Sequence, residues 1–152
     1  MMNGDNGRKV EILLIEDNPA DVTVALEALK KANVANRVHV LREGGEALDF
    51  LVRTGPFAAE PPLSAQTLIL LTLRLKTVHG LDVLRKIKSD ERTKNLPVII
   101  LTSSQEERGV MQSYKLGANA CIVKPMELNK LIEAVAELRL AWLLISDDES
   151  SG

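Results

Sequence analysis

Four short apolar runs punctuate the chain, and each stops at a polar residue. Ile12-Leu13-Leu14-Ile15 runs into Glu16-Asp17, Leu68-Ile69-Leu70-Leu71 into Thr72, Val98-Ile99-Ile100-Leu101 into Thr102, and Cys121-Ile122-Val123 into Lys124-Pro125. Near-continuous runs of this length are the pattern of strands buried on both faces, as in a parallel sheet covered by helices. A weaker run, Val38-His39-Val40-Leu41, predicts a further short strand, with His39 as a surface side chain. In an open sheet of this kind the strand ends meet at one edge, where ligands bind. The pattern therefore predicts that an acidic pair, two hydroxyls and a lysine converge from distant parts of the chain.

Between the runs the periodicity changes to three and four. Asn18-Pro19 reads as a helix cap with proline at the first helical position, and Asp21 adds negative charge to the first turn. Val22, Ala25, Leu26 and Leu29 then mark an amphipathic helix to about residue 32. Gly44-Gly45 introduces a helix carrying Ala47, Leu48, Leu51 and Val52, and Gly80 one bearing Leu81, Val83, Leu84 and Ile87. Ser103 or Ser104, with Glu106 or Glu107, reads as a capping box for the next helix, which Gly117 stops. The stretch 54–66, with Gly55, Pro56, Pro61 and Pro62, predicts a long surface loop without regular structure. Alternation of strand and helix makes a three-layer α/β/α sandwich the cheapest topology, here with a five-stranded parallel sheet of order 2-1-3-4-5.

Bulk properties narrow the picture. The 152 residues suit one domain over 8–145, with a polar tail at 1–7 and an acidic, Ser-rich tail at 146–152. A net charge of −2 provides no field for gathering nucleic acid, and the basic clusters sit at solvated helical spacing. A single cysteine excludes an internal disulfide and fits a reducing cytoplasm, with Cys121 read as inert core. No run approaches the ~20 apolar residues of a membrane span.

Taken together, Leu14-Ile15-Glu16-Asp17-Asn18-Pro19-Ala20-Asp21, Leu68 to Leu71 ahead of Gly80, Pro97 to Ser103, and Gly117-Ala118-Asn119-Ala120 leading to Lys124-Pro125 resemble the receiver domain of two-component response regulators. The resemblance covers essentially all of 8–145 and implies a flavodoxin-like receiver. The Pro-rich loop, Glu46-Ala47-Leu48-Asp49-Phe50-Leu51 and Trp142 most resemble small stand-alone receivers that partner phytochrome-type kinases. By resemblance Glu16 and Asp17 correspond to the acidic pair that helps hold Mg²⁺, Thr102 to a switch hydroxyl, and Lys124 to the lysine that senses the phosphoryl group. Lys124-Pro125 is then expected to be cis. Read without the family, Thr102 is equally a strand-end residue with a local hydrogen bond, and Lys124 a salt-bridge partner.

The departures from the family carry the functional argument. Counted back from Gly80, Thr72 stands where the resemblance implies the phosphorylated aspartate. Arg74 and Lys76 replace a small polar residue and a proline in the following loop, and Cys121 replaces an aromatic switch residue. A threonine hydroxyl is a poor nucleophile unless deprotonated, and its phosphate ester lacks the lability of an acyl phosphate. Asp17 is the candidate base for such a route. With Arg74 and Lys76 near Glu16 and Asp17, the local charge is expected to be near zero or positive. Lys124 or Arg74 is expected to fill the cation position by pairing with Asp17, leaving at most weak Mg²⁺ at Glu16 and Asp17. The pocket becomes a hydrogen-bonded structural plug, and Cys121 leaves room that favours a single fixed state.

The last helix shows a stripe of Leu128, Leu131, Ile132, Val135 and Leu138 that should face the sheet, while Leu140, Leu143 and Leu144, with Trp142 nearby, predict an exposed patch for homodimerisation. The expected function is that of a pseudo-receiver working through protein contacts with a sensor histidine kinase or another signalling protein. The alternative is a phosphorelay receiver that still engages a kinase or accepts phosphate at an unconventional residue. An enzyme is the weakest reading, because no catalytic cluster or phosphate-binding glycine loop appears.

Overall fold

The computed structural model describes residues 10–32, 37–61, 63, 66–103 and 106–138. Five parallel strands, β1 (Val10–Ile15), β2 (Arg37–Leu41), β3 (Gln66–Thr72), β4 (Val98–Thr102) and β5 (Ala120–Val123), form one sheet in the order β2-β1-β3-β4-β5. Helices α1 (Pro19–Ala32), α2 (Gly44–Val52), α3 (Gly80–Ser89), α4 (Glu107–Lys115) and α5 (Leu128–Glu137) cover its two faces. The fold expected from the alternating pattern is therefore the one observed.

Strand side chains alternate between two separate cores. Ile12, Leu14, Leu68, Leu70, Ile99, Leu101 and Ile122 pack against α1 and α5, through Ala25, Leu29, Leu131 and Val135 among others. Leu13, Ile15, Ile69, Leu71, Val98 and Ile100 pack against α2 and α3, through Ala47, Phe50, Leu51, Val83, Leu84 and Ile87. Helix α4 differs from its neighbours, since its buried residue is Ser113 rather than an apolar side chain.

Several details depart from the pattern. The edge strand β5 is not buried on both faces: Val123 is 44% exposed, and Cys121 is only half-buried, packed at the margin of the α2–α3 core. His39 is not a free surface side chain, because its Nε2 lies 3.1 Å from Glu11 Oε1 and its ring packs on Phe50. Leu26 and Ile132 turn outward at 37% and 42% exposure, while Ala28 and Ala134 take the inward positions. The inward stripe Val22, Ala25, Ala28 and Leu29 leaves Leu26 at its flank, as Leu131, Ala134 and Val135 leave Ile132. Among the described residues of the loop after α2, Gly55–Phe57 forms a 3-10 turn, where Pro56 presets the backbone. The sequence-derived tails and Leu140, Trp142, Leu143 and Leu144 lie outside the described residues.

Candidate functional site

Parallel register assembles the site. Ile15 lies opposite Leu71, Thr72 opposite Leu101, and Thr102 opposite Val123, so Glu16, Thr72, Thr102 and Lys124 emerge side by side at the carboxyl edge. Two local devices hold the frame. Asn18 Oδ1 accepts from the N–H groups of Ala20 at 2.9 Å and Asp21 at 3.1 Å, which starts α1 directly after the acidic pair. Gly80 lies against the backbone of β3: a Cβ there would come within 2.4 Å of the Thr72 carbonyl oxygen and 2.7 Å of Leu73 Cα. That close approach fixes the start of α3 against the end of β3.

Glu16, 1% exposed, is the centre of the inner network. Its Oε1 accepts from the Thr72 hydroxyl and lies 2.8 Å from the Lys124 ammonium, while its Oε2 accepts from Asn18 N–H at 3.2 Å. Lys124 also donates to Asp21 Oδ2 at 3.0 Å. Burial opposes the charge on Lys124, but the hydrogen bonds and charges of Glu16 and Asp21 prevail and raise its pKa. Lys124 therefore pairs with Glu16 and Asp21, not with Asp17 as expected. Asp17 instead accepts the Lys76 backbone N–H at 2.7 Å, so a main-chain group occupies it. The Thr72 proton likewise goes to Glu16 rather than to the expected base, Asp17.

In the sequence Asp21 stands out only as a charge at the start of α1. Its place in the first turn, two residues after Pro19, was the available signal, since that turn must sit beside the strand ends.

A second network occupies the rim. Arg74 Nε lies 3.2 Å from Glu106 Oε2, so Arg74 is not on Asp17 either. Glu106 Oε1 gathers the Ser103 N–H and hydroxyl, both at 3.0 Å, and the Thr102 hydroxyl at 3.2 Å. The Thr102 hydroxyl is also 3.1 Å from the Ser103 carbonyl. Partial burial favours the neutral acid at Glu106, yet the bonds from Ser103 and Thr102 and the charge of Arg74 together hold its pKa below the usual range. The Ser103–Glu106 pairing was expected as a capping box, but α4 starts only after Glu106. With Asp21 drawn in and Arg74 turned outward to Glu106, two carboxylates, Glu16 and Asp21, contact Lys124, so the inner pocket is more acidic than the near-neutral or positive charge expected. Cys121 Sγ lies 3.6 Å from Ser113 Oγ, and the Lys124–Pro125 bond is cis.

Comparison with known proteins places the chain in a family. Residues 12–136 match the response regulator receiver domain, and the chain belongs to that family. It is 36% identical over 143 residues to response regulator Rcp1 of Synechocystis sp., covering 94% of this chain and 95% of Rcp1. It is also similar to the structure of the bacteriophytochrome response regulator AtBRR, at 44% identity and TM-score 0.77, covering 86% of this chain and 93% of the other. A third similar structure is the Mn²⁺-bound form of Rcp1, at 35% identity and TM-score 0.71, with 88% and 94% covered. The chain is thus a receiver domain of two-component signalling, and its relative Rcp1 has a Mn²⁺-bound structure. Among the described residues no helix is long and apolar enough to cross a membrane.

Proposed function

We propose that this receiver transmits its signal through protein contacts, without phosphorylation of an aspartate at the end of β3. The observation that carries the reading is Thr72 itself: 2% exposed, with its hydroxyl proton committed to Glu16. A buried hydroxyl in this setting is neither presented to a phosphodonor nor able to form an acyl phosphate. The residues present fit a divalent ion poorly. Glu16 already contacts an ammonium, a hydroxyl and a backbone amide, and Asp17 is engaged by Lys76. Mg²⁺ prefers several hard oxygens free to form an octahedron, so any binding is weak and confined to Glu16 and Asp17.

One contact favours a second reading. The Thr72 hydroxyl faces a carboxylate that could take its proton, which is the arrangement of an unconventional phosphoacceptor. Against it stands Lys124, whose ammonium already holds the same Glu16 oxygen at 2.8 Å. Incubation with acetyl phosphate or phosphoramidate, followed by intact-mass measurement, separates the two. The native chain is expected to stay unmodified, while Thr72→Asp gains a hydroxylamine-sensitive phosphoryl group. A hydroxylamine-resistant adduct on Thr72 in the native chain establishes the second reading instead.

The partner class proposed is a sensor histidine kinase or another signalling protein in the cytoplasm, with no role for nucleic acid, membrane or enzymatic turnover. The likeness to bacteriophytochrome response regulators supports a kinase of that kind. A homodimer through Leu140, Trp142, Leu143 and Leu144 rests on the sequence pattern, and sedimentation at tens of micromolar that shows only monomer refutes it.

A further inference from the structure

Helix α4 poses a packing problem that its neighbours do not. Helices α1, α2, α3 and α5 each bury apolar side chains in one of the two cores, whereas the buried residue of α4 is Ser113. Met111 and Tyr114 on the same helix are 63% and 50% exposed. Burial of apolar surface therefore does little to position this element. Its start is held by other means. Gly109 lies so close to Leu73 that a Cβ there would meet Leu73 Cδ1 at 2.8 Å, and the adjacent Arg74 reaches Glu106. Glu106 in turn collects the end of β4 through Thr102 and Ser103.

We propose that Glu106 is an internal anionic latch, with Arg74 as its counter-ion, that fixes the position of α4 against the end of β4 and the β3–α3 loop. Its two oxygens divide the work. Oε1 binds the chain that leads into the helix, and Oε2 binds a loop from the neighbouring strand. Neither can move without breaking charge-assisted bonds. The Thr102 hydroxyl becomes part of the latch, which ties its orientation to an internal carboxylate. The exposed Met111 and Tyr114 are then presented in one arrangement. This device operates whether or not Thr72 ever carries a phosphoryl group.

Amide hydrogen exchange and amide chemical shifts along α4 test the proposal, with β1 and β3 as internal reference. In Glu106→Ala, amides across the whole helix to Tyr114 and Lys115 are expected to exchange roughly tenfold faster and to shift, with the reference strands unchanged. Arg74→Met should accelerate the same amides by less. Glu106→Gln keeps an acceptor oxygen for Ser103 but loses the charge toward Arg74, so it should fall between the two and serves if the alanine variant does not fold. Unchanged exchange in these variants overturns the latch. So does an effect confined to the first turn of α4, which would make Glu106 an ordinary end cap.

Discussion

Glu16 and Glu106 answer the same chemical question in two places. Each carboxylate gathers a cation, a threonine hydroxyl and a backbone N–H. Glu16 does so inside the fold, joining β1, β3, β5 and the start of α1, with 1% of its side chain exposed. Glu106 does so at the rim, at 10% exposure, and its counter-ion Arg74 is 78% exposed. Solvent screening separates their consequences, since a buried ion that loses its partner has no water to replace it, while a rim pair does. The inner network belongs to global stability and the outer one to the placement of a single helix.

Removing the inner carboxylate should have the largest effect. Glu16→Ala leaves the Thr72 hydroxyl without its acceptor and Lys124 with Asp21 alone, and should cost about 3 kcal/mol in denaturant unfolding. A loss below about 1 kcal/mol would erase the distinction between the two networks. Glu106→Ala should cost about 1 kcal/mol, with its main signature in α4 exchange rather than in the unfolding midpoint. Arg74→Met should cost only a few tenths of a kcal/mol, with the loss fading as salt is added, as for exposed ion pairs.

The two networks should also fail at opposite ends of the pH scale. The folded pKa of Lys124 is raised above 10.5, so its contribution is fully present below that value and is lost as pH rises through the folded pKa. The folded pKa of Glu106 is lowered below 4.5, so its contribution is present above 4.5 and disappears as pH falls through the folded pKa. Stability curves of Lys124→Met and Glu106→Gln should therefore approach that of the native chain at high and low pH respectively. A Lys124→Met curve that stays parallel to the native one through the alkaline limb would remove the basis for the assignment.

Much of the architecture was legible because strand ends announce themselves. The runs before Glu16, Thr72, Thr102 and Lys124 are short, apolar and abruptly terminated, and Gly80 and Gly117 sit where only a missing side chain or a positive φ will serve. The same runs brought the candidate residues to one edge. Their pairings were not legible. Lys124 or Arg74 is the cation that the sequence offers Asp17, since all belong at that edge, yet neighbouring residues leaving the end of β1 turn their side chains to different partners. Glu16 points into the pocket, and Asp17 turns toward the loop that holds Lys76. Asp21 and Glu106 were visible only as helix-end residues, because their second partners come from 103 and 32 positions away.

By itself the sequence determined the order of strands and helices, the parallel sheet, and the convergence of acids, hydroxyls and a lysine at its carboxyl edge, since periodicity and punctuation are local properties of the chain. Tertiary structure alone decided which carboxylate receives which cation, that Arg74 leaves the pocket for Glu106, and that α4 rests on polar contacts instead of a core. The physical reason is reach: side-chain partners are chosen by angstroms between elements, and those distances exist only after the sheet and both helical layers have packed.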